Sequence, residues 1–347
     1  MKPNPFVEAT LTYCLTYINK CLHLRPRHSL TAAHLTILAD NDYYSNDPTK
    51  SGKGRFASFH TTISKAPKTG LGSSAALVTS LTGALLAHYL ADSFDLSSAD
   101  GRRTLHNLAQ IAHGAAQGKV GSGFDVAAAV YGSCIYRRFS AEMLADLPEP
   151  GAAGFTARLE TLVNTDWDGR IKDFALPEGV AVRMVDVHSG TQTVGMAKGM
   201  LEWRRKNPVR ATELWWGLHG LNIFLEQQLR TVGGSLEHVA ETIARCRAVI
   251  RVMSKESGVP VEPPLQTELL DRISAVQGVY GGVVPGAGGF DAAAIVMQDD
   301  ESVLEEVRKC CESFSKTHVK VNVMRVKGEM EGARMEDVAM FDAWLTN

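Results

Sequence analysis

The sequence predicts an α+β protein in two domains, and three observations carry that prediction. Apolar residues recur at helical spacing through much of the first 130 residues. From Val180 onward strand-like alternation frames a long helical stretch, so helices are grouped between antiparallel strands instead of following each strand singly, the order expected of an α+β domain and not of a doubly wound sheet. Between the two patterns, NTDWDG and LPEG supply turn residues around 165–180, which places the domains at residues 1–175 and 176–347. A chain of 347 residues is long enough to give each its own core.

Each element has a local reason. Phe6, Ala9, Tyr13, Cys14, Tyr17 and Ile18 follow an Asn-Pro start at helical spacing and predict a helix over 6–20. His34 to Ala39 reads as a strand, and NDYYSNDPTKSGKGR, rich in turn formers, reads as a surface loop over 41–55. Helices follow at 74–90 and 99–116, the second with Leu105, Leu108, Ala109 and Ala112 on one face. A Gly-rich bend, GKVGSG, then leads to the apolar segment DVAAAVYG. In the second domain VAVRMVDV is a strand ending at the polar loop HSGTQT. Helices are expected around 193–206, 209–230, 235–255 and 264–276, then a strand pair about VPGAGGFD and a helix over 301–314. A last strand has Val319, Val321 and Val323 alternating with Lys320 and Asn322.

Composition narrows the function. With 36 Lys plus Arg against 38 Asp plus Glu, the chain lacks the basic excess of a general nucleic-acid binder, so an anionic ligand must be held by a few local groups. The six cysteines form no CxxC and no Cys/His set at zinc spacing, which fits a reduced, cytoplasmic protein. The N-terminus, broken by Pro3, Pro5 and Glu8, lacks the apolar core of a signal peptide. The most apolar window, Ala75 to Ala91, is interrupted by Thr79, Ser80, Thr82 and His88 and reads as a buried helix, not a membrane span.

Three Gly-rich segments stand out. In PKTGLGSSAALVTSL, Gly70 and Gly72 permit a tight turn, and Ser73 or Ser74 is placed to cap a helix whose first-turn amides form a phosphate site. An ordinary Ser-capped helix fits the same residues, and no Lys follows the second glycine as a Walker A loop requires. In QGKVGSGFDVAAAVYG, Asp125 follows three glycines and precedes an apolar run, so its carboxylate is delivered at the mouth of a buried element; beside it Lys119 offers a point charge for a phosphate. A helix-capping Asp and a solvated Lys are the plainer reading. In GVYGGVVPGAGGFDAAAIV the glycine density implies that the backbone lies against something large or charged, or else marks a structural bulge. HSGTQT adds hydroxyls at a helix start. His106 and His113, seven apart on one helix face, read as core or cleft-wall residues, and Trp203, Trp215 and Trp216 as helix packing.

Taken in order, these segments resemble the GHMP kinases, whose second motif is P-x-x-x-G-L-G-S-S-A-A and whose third is a Gly-Ala-Gly turn near the C-terminus. The match extends through HNLAQIAHGAAQGKVGSGFDVAAAVYGS, IYRRFS and ESGVPVEPPLQTELLD. The resemblance implies a ribosomal-protein-S5-like first domain, a ferredoxin-like second domain and phosphoryl transfer from ATP with Mg²⁺ to a small molecule. Neither a nucleic acid nor a membrane span is implied, and the protein would be a monomer or homodimer. By motif, Lys68, Gly70, Leu71, Gly72, Ser73, Ser74 and Ala75 correspond to the ATP phosphate segment, with Ser73 or Ser74 near Mg²⁺. Asp125 and Lys119 correspond to the catalytic bend, and Ser122, Ser189, Thr191, Gly286, Ala287, Gly288 and Gly289 to the acceptor side.

The family's opening motif, S-A-P-G-K-x-x-L-x-G-G-Y, has no counterpart in residues 1–60, so the chain is expected to be N-terminally shortened, its first sheet incomplete and its turnover reduced by more than the ~10²–10³ of one lost electrostatic contact. The sequence leaves open a working kinase, another member of the family, and a catalytically weak ligand-binding protein.

Overall fold

A computed structural model of the chain describes residues 4–23, 30–44, 54–56, 69, 71–188, 195–230, 236–290 and 292–345. The chain divides into two units, Met1–Phe174 with Glu329–Asn347, and Ala175–Gly328. The second domain expected from sequence runs to residue 347; instead the segment from Glu329 belongs to the first unit. The Ala333 amide donates to the Val130 carbonyl at 3.2 Å, and Gly132 and Gly332 meet backbone to backbone where no Cβ fits.

The first unit contains α1 (Pro5–His23), α2 (Ser73–Tyr89), α3 (Ala99–Gln117), α4 (Phe124–Tyr131), β1 (Cys134–Arg137), α5 (Phe155–Asn164) and β2 (Arg170–Asp173). Ile18 of α1, Val78 and Leu86 of α2, Leu105 and Leu108 of α3, Val126 of α4 and Leu159 of α5 meet in one core. Ser98 caps α3 by accepting from the Gly101 amide at 3.0 Å, and Gly118, left-handed, ends it. Strands β1 and β2 pair antiparallel from Cys134↔Asp173 to Arg137↔Arg170. His34–Ala39 is not a strand. It has the alternation but no ladder among the described residues, and Ile37 stays 44% exposed, so nothing rewards extension with burial. Of the expected loop, Asn41–Tyr43 form one 3₁₀ turn capped by Asp40.

The second unit contains β3 (Val180–Val187), α6 (Met196–Lys206), α7 (Pro208–Arg230), α8 (Glu237–Ser257), α9 (Pro264–Ser274), β4 (Val279–Val283), β5 (Ala292–Gln298), α10 (Glu301–Ser315) and β6 (Val321–Val323). Its sheet runs β4-β5-β3-β6 with every pair antiparallel. Val185 of β3 and Ile295 and Met297 of β5 share a core with Leu269 and Ile273 of α9 and Val307 and Phe314 of α10. The glycines of β4 answer to this packing: a Cβ on Gly281 would lie 2.9 Å from Ile243, and one on Gly282 2.9 Å from Leu270. Glu262, 1% exposed, is held by Arg247 at 2.8 Å, Arg251 at 3.2 Å and the Thr267 hydroxyl at 3.0 Å, so its buried charge is fully compensated. Trp203 and Trp215 stack at 6.1 Å, whereas Trp216 is 67% exposed and takes no part in the expected trio.

Among the described residues no helix is long and apolar enough to cross a membrane. None of the six cysteines is in a disulfide, and burial pushes the Cys14 thiol up to about 12.

His106 on α3 is the buried histidine expected from sequence, packed against Tyr131 and Trp167, with Nε2 unpartnered. Burial lowers its pKa to about 4, against the opposing hydrogen bond to Asn107. The folded ring therefore stays neutral while an unfolded one protonates near 6.5. Its contribution to stability is present above pH 6.5 and lost as pH falls through 4, amounting to about 3 kcal/mol at pH 4. In urea unfolding at pH 7, 5.5 and 4, His106→Gln should flatten the acid loss by about that amount; an unchanged slope would refute the assignment.

Candidate active site

Two helices begin beside one another in the first unit. The N-cap of α2 is Gly72 in the left-handed region (φ 70°), and that of α4 is Gly123 (φ 81°); neither has a side-chain cap. This corrects the expectation that Ser73 or Ser74 caps α2. The glycine makes the turn, and both serines stand inside the first helical turn. The amides of Ser73, Ser74 and Ala75 therefore have neither an intrahelical partner nor a side-chain cap, and they sit at the positive end of the helix dipole.

Asp125 is the second residue of α4. Its Oδ1 accepts from the Val126 amide at 3.0 Å, its side chain is 23% exposed, and a Cβ built on Gly72 would lie 3.6 Å from its Cβ. The Asp125 side chain thus stands, at its Cβ, in contact range of the turn that starts α2. Gly123 is fixed more tightly: a side chain there would collide with the Tyr136 hydroxyl at 2.6 Å and Gln110 Oε1 at 2.9 Å. The Tyr136 hydroxyl in turn donates to the exposed Ser122 carbonyl at 3.0 Å, bracing the bend. Lys119 is exposed at its start, where its amide donates to the Gly114 carbonyl.

Sequence analysis reads His113 as a core or cleft-wall residue and gives it no role at the site. Its Nε2 lies 3.1 Å from Ser74 Oγ, 3.2 Å from Gln117 Nε2 and 3.9 Å from Asp125 Oδ2, and its ring packs 5.5 Å from that of Phe6. Burial holds its pKa below the ordinary value; Asp125 opposes that shift and Lys119 reinforces it. A neutral ring whose Nε2 takes the Gln117 amide as an acceptor follows. The available signal was the polar stripe His106, Gln110, His113, Gln117, spaced by four, three and four along α3. Gln110 donates to the Val120 carbonyl at 3.3 Å, and its Oε1 has no partner.

Of the remaining expected residues, Leu71 precedes the α2 turn, while Lys68, Gly70, Ser189 and Thr191 lie outside the described residues. Gly286, Ala287, Gly288 and Gly289 form a turn of the second unit in which the Gly288 amide donates to Pro285 and the Gly289 amide to Val261. A Cβ on Gly288 would strike the Val261 backbone, so this glycine is required by packing within its own unit. Among the described residues no group of three or more His, Cys, Asp or Glu could hold a metal ion.

The GHMP kinases N terminal domain matches residues 42–133, which include the α2 turn and Asp125. The chain is 53% identical to phosphomevalonate kinase of Gibberella zeae over 99% of its own length and 79% of that protein's. It is 42% identical to the Aspergillus fumigatus phosphomevalonate kinase over 99% and 75%. Among solved structures, Streptococcus pneumoniae phosphomevalonate kinase in complex with phosphomevalonate and AMPPNP shares the fold, with a TM-score of 0.57 at 20% identity over 75% of this chain and 69% of that one.

The two N-caps are expected to respond differently to a methyl group. Gly72→Ala meets only an ordinary van der Waals contact, the Asp125 Cβ at 3.6 Å, and costs chiefly its left-handed backbone, about 1–2 kcal/mol, whereas Gly123→Ala adds the collision with Tyr136 and Gln110 and should cost about 1–3 kcal/mol more. Thermal unfolding of the two variants checks the order; equal losses would show that the bend accommodates a side chain.

Proposed function

The chain belongs to the GHMP kinases, in their phosphomevalonate kinase family, and from that premise we propose that it transfers the γ-phosphoryl group of ATP to 5-phosphomevalonate, giving ADP and 5-diphosphomevalonate in the mevalonate route to isoprenoids and sterols. The observation that carries this reading is the uncapped start of α2 in side-chain contact range of Asp125, whose Cβ would lie 3.6 Å from one on Gly72. An anion-binding helix end and a fixed negative charge beside it suit a site that holds phosphates and orders the cations around them.

In this reading the amides of Ser73, Ser74 and Ala75 bind phosphate oxygens of ATP. Lys119, on a bend held by Gly114 and Tyr136, brings a mobile positive charge to the transferring group. Asp125 orients charge and does not need to remove a proton. The attacking atom is an oxygen of the acceptor's phosphate, whose second pKa near 6 leaves it deprotonated at neutral pH. His113, neutral and anchored by Gln117, keeps Ser74 and Asp125 in register.

The described residues do not build a protein cage for Mg²⁺, which fits an ion carried chiefly by the nucleotide phosphates. Ser74 Oγ is engaged by His113, so Ser73 is the hydroxyl that would reach such an ion, which when bound neutralises charge on the phosphates. For the acceptor, the motif resemblance favours Ser122 of the first unit and Ser189, Thr191 and the turn Gly286, Ala287, Gly288 and Gly289 of the second.

A coupled ADP-release assay with 5-phosphomevalonate and Mg-ATP tests the reaction. Asp125→Asn should lower kcat by about 10²–10³ with little change in either KM; full turnover would return Asp125 to a structural role. The acid limb of kcat/KM should fall near pH 6, set by the acceptor's phosphate, and stay there in His113→Gln. A limb that moves with His113 would assign the proton to the protein. Ser73→Ala should raise the Mg²⁺ concentration for half-maximal rate more than Ser74→Ala does, and the reverse order would exchange their roles.

A further inference from the structure

We propose that Phe341 and Trp344, in the segment that returns to the first unit, are positioning residues for the nucleotide half of the site, acting through Phe56. The Phe56 ring lies 5.1 Å from Trp344 in an edge-to-face arrangement and 6.1 Å from Phe341, and the Arg55 guanidinium covers it at 5.1 Å. These contacts are the aromatic anchorage of a short stretch, 54–56, that is otherwise polar and exposed.

From Phe56 a continuous set of contacts leads to the phosphate-binding turn. Arg55 pairs with Asp40 at 2.8 Å, and Asp40 caps the 3₁₀ turn through the Asp42 amide. The Asn41 amide donates to the Arg55 carbonyl at 3.1 Å, and its side-chain nitrogen to the Gly54 carbonyl at 2.7 Å. That 3₁₀ turn then holds Thr69, whose amide donates to Tyr43 at 3.1 Å and whose hydroxyl donates to Asp42 at 2.8 Å. Thr69 is buried and stands three residues before Gly72, the N-cap of α2. At its other end the same segment is fixed to Val130 and Gly132, at the close of α4, the helix whose second residue is Asp125.

One strap therefore holds both the approach to the α2 turn and the far end of α4. Phe56, Phe341 and Trp344 lie outside the main core of the unit, so loosening them costs little global stability while it frees Thr69 and the turn beyond it. This inference rests on the reading of Ser73 to Ala75 as the nucleotide's phosphate site.

The test is equilibrium binding of AMPPNP and, separately, of 5-phosphomevalonate to the full chain, which needs no turnover. Trp344→Ala should weaken AMPPNP binding roughly three- to tenfold, the scale of one lost aromatic contact, with 5-phosphomevalonate affinity unchanged and the melting temperature within about 3 °C of the parent. Trp344→Phe should restore AMPPNP binding to within about twofold, because it keeps an aromatic edge against Phe56. Phe56→Leu reads the same contact from the loop side and should match Trp344→Ala. Parent-like AMPPNP affinity in Trp344→Ala or Phe56→Leu overturns the proposal, as does equal weakening for both ligands. Failure of the parent chain to bind AMPPNP overturns the phosphate-site reading and this inference with it.

Discussion

Two helices that start against each other set the terms for the first unit. The positive ends of α2 and α4 lie close together, and amides at both ends need acceptors. Asp125 meets part of that demand through the Val126 amide and places its charge where the two helix ends meet. The remaining demand, at Ser73 to Ala75, is what a chain of phosphates can satisfy. Such a meeting is possible only because both caps are left-handed glycines, which bring the turns together without side chains between them.

Helix α3 is the platform under this arrangement. It is buried over 105–114 on all sides, and its polar residues point inward by necessity: His106 and Asn107 toward the α5 end, Gln110 under the bend, His113 toward Ser74 and Asp125. A buried polar stripe is costly unless its members find partners. Here Asn107 and Gln110 reach backbone carbonyls at Thr165 and Val120 and His113 reaches side chains of the site, while His106 Nε2 and Gln110 Oε1 stay without partners; the Gln110 bond ties the bend at 118–123 to α3.

Much of this was legible in the sequence. The place of Asp125 at a helix start could be read because three glycines and an apolar run bracket it, and the α2 turn because glycine spacing and helix start coincide. The cap was misassigned because Ser is the usual N-cap residue, while a left-handed glycine doing the same work leaves no side-chain signature. His113 was hidden by its neighbours: Leu105, Leu108, Ala109 and Ala112 dominate the periodicity, and a histidine among them reads as core until Ser74 and Asp125 arrive from elsewhere in the chain. His34–Ala39 shows the converse, a local strand pattern with no tertiary partner to make it one. The glycines of β4 looked like a ligand contact and proved to be room for Ile243 and Leu270. In each case the missing information was a contact between residues far apart in sequence.

The strap from Glu329 has a consequence for how the protein is made. The first unit is discontinuous in the chain, opening with residues 1–174 and closed by a segment separated from them by the entire second unit. On a ribosome adding about 5–20 residues per second, the first unit waits roughly 8 to 30 s between the appearance of its core helices and the arrival of the strand of chain that covers Val130 and Phe56. During that interval α4 has emerged with its C-terminal backbone uncovered, and Phe56 has no aromatic partner in the strap to pack on. The first unit therefore begins to fold before the second and closes only after the whole second unit has been made.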